Sequence, residues 1–356
     1  MRLLGIGFIA SLASCLPANE LGAYSSGTAG SPPEPASSGP RPSSGSERPP
    51  EGGPSNVDPG PTPSSTGGAG ASDVGAETQP LERPEAADAG ALGGAALSGV
   101  SALQLDVDGA QRTFLYYSPP ELDPARPVPV LIVAHGFGQS ADELFEITRF
   151  DTLADREGFV VLYPDGQRGI PWNIGSDVCR GVRGPVFSAR GDDSAFVDAM
   201  LAFVAANRRV DRGHVFVAGL ASGGYLANEL ACERPDIRAV ASHSGGSHAL
   251  EGCRSARKPV LLLHGLADGT VPATCSEEAR ERWLAHNGCG AQSDERIVLG
   301  GSCSDATGCP AGGQVSLCTF EGMGQGWAGG VAQASSFLDY AAASELVWAF
   351  FRAHAW

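Results

Sequence analysis

The residues best placed to do chemistry lie in Val215-Phe216-Val217-Ala218-Gly219-Leu220-Ala221-Ser222-Gly223-Gly224. An apolar run enters a glycine-rich turn and leaves it as Tyr225-Leu226-Ala227-Asn228-Glu229-Leu230, a helical pattern. A strand–turn–helix of the form Gly-x-Ser-x-Gly lifts a serine hydroxyl to the end of a sheet, where it can attack an acyl carbon. With Gly219 and Gly223 as the two glycines, the middle position holds Ala221, which has no atom to attack with. The serine follows one step later. A one-residue slip would make Ser222 the nucleophile, at the cost of putting Leu220 where the tight turn wants glycine. In the unslipped register Ser222 is rotated by roughly 100° about the helix. Its backbone N–H could then stabilise an oxyanion, and its hydroxyl would satisfy the helix start.

A serine nucleophile also needs an imidazole to take its proton and return it to the leaving group. His243 and His248, in Ser242-His243-Ser244-Gly245-Gly246-Ser247-His248, follow an apolar run. They would stand at the carboxyl ends of the strands, where α/β sheets build their sites. His243 is the candidate for a relocated base; the plainer reading of both is a solvated loop histidine. His135 and His264 stand in His-Gly turns, and His214, His286 and His354 read as surface residues.

The elements that must position these groups alternate. Apolar runs at Thr113–Tyr117, Val128–Ala134, Phe159–Tyr163, Val215–Ala218, Ala239–Ser242, Val260–His264 and Val315–Phe320 read as strands. Helical patterns at Asp193–Asn207, Ser276–His286 and Ala341–His354 lie between and after them. Near-continuous apolar strands between helices predict an α/β domain over 99–356, with a mostly parallel central sheet covered by helices on both faces.

Several segments together resemble the polyhydroxybutyrate depolymerase and feruloyl esterase group of α/β-hydrolases. They are Val133-Ala134-His135-Gly136-Phe137-Gly138, the stretch from Leu153 to Tyr163-Pro164-Asp165-Gly166, Trp172-Asn173, Asp192-Asp193-Ser194-Ala195-Phe196 and the turn at 219–223. His264-Gly265-Leu266-Ala267-Asp268-Gly269-Thr270-Val271-Pro272 and Gly322-Met323-Gly324-Gln325-Gly326-Trp327 complete the set. The resemblance implies an α/β-hydrolase fold and a Ser-Asp-His triad in that chain order. It places the serine position at Ala221, the aspartate at Asp268, and the histidine at Gln325, where the family reads Gly-x-Gly-His-x-Trp. Two of the three positions are substituted. It further implies an oxyanion pocket from the N–H groups of Phe137 and Ser222. Trp172 and Trp327 would stand in loops at the same edge, lining an ester or sugar pocket or packing those loops down. A glutamine amide is no base near neutral pH, so the expected protein is an impaired hydrolase that keeps its cleft. The alternatives are an ester hydrolase working through Ser222 and a relocated histidine, and a structural surface protein.

Outside that domain, Arg2, the apolar run Leu3–Leu12 and Leu12-Ala13-Ser14-Cys15 resemble a lipoprotein signal over 1–14, with Cys15 the lipidated residue and an N-terminal lipid anchor as the membrane partner. Residues 15–98 are dominated by Pro, Gly, Ser, Ala and Glu and read as a disordered tether. The predicted protein is exported and sits at the bacterial cell envelope, lipid-anchored or extracellular. Eight further cysteines, an even number, point to disulfides in an oxidising compartment, with Cys303–Cys309 as the one local pairing guess. No C-x-x-C pair suggests a metal, and no cofactor is expected. The formal net charge of −16 argues against a nucleic-acid partner.

Overall fold

A computed structural model describes residues 86–91, 97–167, 172–179, 182–187, 192–247, 250, 252–331 and 333–356. The signal, Cys15, most of the tether and His248 lie outside the described residues.

The first elements are the strands β1 (Ala87–Asp88), β2 (Gly99–Val107), β3 (Ala110–Ser118) and β4 (Val128–Ala134). Helices α1 (Ala141–Thr148) and α2 (Phe150–Glu157), β5 (Val160–Pro164), the hairpin β6 (Gly175–Cys179) and β7 (Val182–Phe187), and α3 (Asp193–Asn207) follow. The second half runs β8 (Val210–Leu220), α4 (Ser222–Glu233), β9 (Ile237–His243), β10 (Val260–Gly265) and α5 (Thr274–Asn287). It closes with β11 (Ser293–Val298), β12 (Gly301–Ala306), β13 (Val315–Phe320) and α6 (Ala343–His354).

Eleven of the described strands form one sheet in the order β1-β2-β3-β5-β4-β8-β9-β10-β13-β12-β11. The run from β5 through β4, β8, β9 and β10 to β13 is parallel. The hairpins β2–β3 and β11–β12 flank it, joined antiparallel to β5 and to β13. Ala87–Asp88, within the stretch read as tether, pair in parallel with β2. Alternating side chains of each central strand serve opposite faces. Val130 and Ile132 of β4 join one core with Met200 of α3, Leu230 of α4 and Trp283 of α5. Leu131 and Val133 join the other with Leu144 of α1, Phe150 of α2 and Phe351 of α6. The α/β-hydrolase architecture read from the sequence is the one observed. No helix among the described residues is long and apolar enough to cross a membrane.

The disulfides pair Cys179 with Cys275, Cys232 with Cys253, Cys289 with Cys309, and Cys303 with Cys318. The expected Cys303–Cys309 bond is therefore corrected. Cys303 lies on β12 directly opposite Cys318 on β13, and Cys309 lies beyond the end of β12, where it meets Cys289 after α5. Local spacing misjudged the pair because the partners meet through sheet register rather than through one loop.

Candidate active site

Beta-strand β8 ends at Leu220, α4 begins at Ser222, and the residue that makes the turn between them is Ala221, with φ 53° and ψ −116°. Positive φ is costly for a residue with a Cβ and is stored where the surroundings over-determine it. Three contacts do so here. The Ala221 N–H donates to the His243 carbonyl at 2.9 Å, and the Ala221 carbonyl accepts from Gly224 N at 2.9 Å and Tyr225 N at 3.1 Å. The flanking glycines are required by space. A Cβ on Gly219 would lie 2.1 Å from the Gly223 carbonyl oxygen, and one on Gly223 would lie 2.0 Å from the Ala134 carbonyl oxygen.

Ser222 is the first residue of α4, where backbone N–H groups have no intrahelical acceptor. Its side chain is buried, and among the described residues its Oγ has no hydrogen-bond partner. The loop after β4 passes over the same turn: a Cβ on Gly136 would lie 3.3 Å from the Ala221 Cβ. Gln139 holds that loop by accepting the Gly136 N–H on Oε1 at 2.9 Å, and the next residue, Phe137, is exposed. Gln139 was not visible in the sequence, since a lone glutamine in a loop carries no spacing signal.

His135 is buried against Trp172, with ring centroids 4.9 Å apart. Its Nε2 accepts from Gly166 N at 2.9 Å and its Nδ1–H donates to the Gly136 carbonyl at 2.8 Å. Burial holds this imidazole below its ordinary basicity. Trp172 is 1% exposed and donates its indole N–H to the His135 carbonyl at 2.8 Å. Trp327 is equally buried, donates to Ser344 Oγ at 3.0 Å, and packs edge-on to Phe150. Both rings thus pack loops onto the domain rather than face an open cleft.

His243 ends β9 with both ring nitrogens occupied. Its Nε2 accepts the Ala328 N–H at 3.1 Å, so its own hydrogen sits on Nδ1, 3.2 Å from Ser244 Oγ. The ring lies between Phe320 and Trp327, 6.1 and 5.2 Å away by centroid. Burial first, and the nearby His264 second, push its pKa down to about 3. Such an imidazole stays neutral and holds two loops together.

Asp268 occupies the turn after β10. Its Oδ1 accepts from Thr270 N at 2.8 Å and Val271 N at 2.9 Å. His264 Nε2 lies 3.5 Å from Oδ2 but points its hydrogen at the Val271 carbonyl, 2.8 Å away. Burial alone would raise this carboxyl; the His264 ring and the two backbone donors more than reverse that, leaving it below the ordinary carboxylate range. The segment carrying Gln325 packs directly on this turn. Ala267 N donates to the Met323 carbonyl at 2.9 Å, and a Cβ on Gly265 would lie 2.3 Å from that same oxygen. Gln325 itself is half-buried.

The strand ends therefore gather Ala221, Ser222, the Gly136–Phe137 loop, His243, Asp268 and the Gln325 segment along the carboxyl edge of the sheet. Among the described residues no cluster of His, Cys, Asp or Glu could hold a metal ion.

Residues 112–256 match the family described as Esterase PHB depolymerase. The chain is 31% identical over 194 residues to feruloyl esterase B of Neurospora crassa, covering 44% of this chain and 64% of that one. It is also 31% identical over 172 residues to a probable feruloyl esterase C of Aspergillus niger, covering 47% and 60%. It thus spans just under two thirds of the length of either relative. In fold it is similar to an acetyl xylan esterase from Aspergillus awamori, with a TM-score of 0.51 and 17% identity, over 66% of this chain and 96% of that structure. Over somewhat less than half of its length the chain is thus similar to the polyhydroxybutyrate depolymerase and feruloyl esterase-like α/β-hydrolases.

Proposed function

We propose that this domain is an esterase-like hydrolase scaffold whose acyl-transfer machinery is impaired and whose site binds rather than cleaves an ester or polysaccharide ligand. The carrying observation is Ala221 at the turn between β8 and α4, with the glycine contacts on either side leaving no room for a shifted register. No acyl-enzyme can form on a methyl group. Gln325 in the Gly-x-Gly-x-x-Trp segment supplies no base, and His243 is engaged at both nitrogens and far too weakly basic to replace one. Loss of the serine or the histidine of a serine-hydrolase triad costs about 10⁶ in turnover, while the oxyanion donors keep their share. Ser222 N–H and the Phe137 loop would keep that share here.

The test is hydrolysis of a short-chain p-nitrophenyl ester by the protein and by a Ser222→Ala variant. The expected result is no turnover above buffer from either. Turnover that disappears in Ser222→Ala would overturn the proposal in favour of a working esterase. We further propose that the chain is exported and lipid-anchored at Cys15. The four disulfides support an oxidising compartment, and fatty-acid labelling that survives Cys15→Ser would refute the anchor.

A further inference from the structure

The large sheet ends at β11, and the outer edge of that strand is bare among the described residues. Thr307 donates its N–H to the Gln292 carbonyl at 2.9 Å, and the hairpin register runs unshifted from Ser293 opposite Ala306 to Val298 opposite Gly301. Alternation along an antiparallel ladder then turns the N–H and C=O groups of Ser293, Glu295 and Ile297 away from β12. A regular edge of this kind invites a further strand, and proteins blunt such edges with proline, a bulge or lysine. Ser293–Val298 holds neither proline nor lysine, and its pairing with β12 shows no bulge. Ile297, whose backbone faces outward, is 78% exposed, and Leu299 in the turn beyond it is 64% exposed.

We infer that β11 is an interaction surface for a second copy of this chain, which adds its own β11 antiparallel across a two-fold axis. Such pairing must set outward-facing residues against outward-facing residues, which leaves few registers. Centred on Asp294 or on Arg296, it opposes like charges directly. Centred on Ile297, it runs into the Leu299–Gly300 turn. Centred on Glu295, it joins the backbone of Glu295 to its counterpart and that of Ser293 to the partner's Ile297. This register also sets Asp294 opposite the partner's Arg296, and Arg296 opposite the partner's Asp294. Both are non-hydrogen-bonded pairs, in which facing side chains approach most closely. Within one chain Asp294 faces Asp305 across the hairpin, and the half-exposed Arg296 spends its Nε on Asp305 at 3.2 Å. A second guanidinium relieves that surplus of negative charge. The one like-charge contact is Glu295 against its counterpart at the axis. Arg280 brings a positive charge to that face through its bonds to Ser293 and Ser304.

The test is sedimentation equilibrium of the whole chain over about a hundredfold range of concentration, in which the mass should rise toward twice the monomer. Arg296→Asp should weaken the dimer at least about tenfold. Adding Asp294→Arg to that variant should restore it, because the swap keeps both crossed pairs and leaves a cation beside Asp305. Glu295→Gln should tighten the dimer by removing the repulsion at the axis. Ile297→Pro should abolish it, since the ring replaces an N–H that points outward and that β12 does not use. Should that proline disturb the hairpin, the charge swap reads the same interface without touching the backbone. A mass that stays monomeric throughout would overturn the inference. So would a dimer indifferent to Arg296→Asp, or one that the swap fails to restore.

Discussion

At residue scale, the contrast between Ala221 and Asp268 sets the chemistry. On the reading proposed above, one position lacks a reactive atom while keeping the backbone that would present it; the other keeps an oriented carboxylate. That reading predicts that chemistry appears when a serine at 221 and a histidine at 325 are introduced together. Ala221→Ser or Gln325→His alone should give little, because an unassisted hydroxyl and an imidazole without a nucleophile each do little. The double variant should raise p-nitrophenyl ester hydrolysis by at least about a hundredfold over either single variant, a small part of what a full triad is worth. A double variant no better than the singles would show that the positions are not spatially matched, and that Asp268 aims elsewhere.

At the scale of elements, the strand–turn–helix from β8 into α4 is held by backbone contact. Gly219→Ala would drive a methyl into the Gly223 carbonyl, and the neighbouring positive-φ turn leaves no slack to absorb it. We expect a loss of about 3 kcal/mol or more in urea unfolding, or failure to fold. A stable Gly219→Ala protein would contradict the packing described. The central elements were legible in the sequence for the same reason that they are buried. Val128–Ala134 and Asp193–Asn207 coincide with β4 and α3 because unbroken apolar patterning marks a strand or helix packed on one or both sides. The hairpin β11–β12 was not legible, since Ser293–Val298 is exposed along most of its length and Gly301–Ala306 is largely polar. Such strands are held by register with β13 and by the cystine joining Cys303 to Cys318. At the site, spacing located the turn at Ala221, but could not tell that Trp172, Trp327 and His243 spend their polar atoms on the loops beside them.

At the scale of the whole molecule, two buried groups tilt stability in opposite directions with pH. His243 titrates near 6.5 when unfolded and about 3 when folded, so its contribution is complete above 6.5 and is lost as pH falls toward 3. Glu229 on α4 behaves oppositely. Burial, then the charges of Glu233 and Asp193, raise its carboxyl from 4.5 to about 7, so its contribution is present below 4.5 and is lost as pH rises through 7. The thermal midpoint should therefore peak in mildly acidic solution. Glu229→Gln should flatten the decline on the neutral side and leave the acid side unchanged; a decline that persists in the variant would place its cause elsewhere. The backbone contacts at Gly219 and Gly223 carry one more consequence. Those contacts are made with backbone atoms, so the shape of the turn does not depend on a side-chain hydroxyl at 221. On the reading proposed above, the shape of a catalyst outlives its reaction, because the turn is built by its glycines and not by the residue that would react.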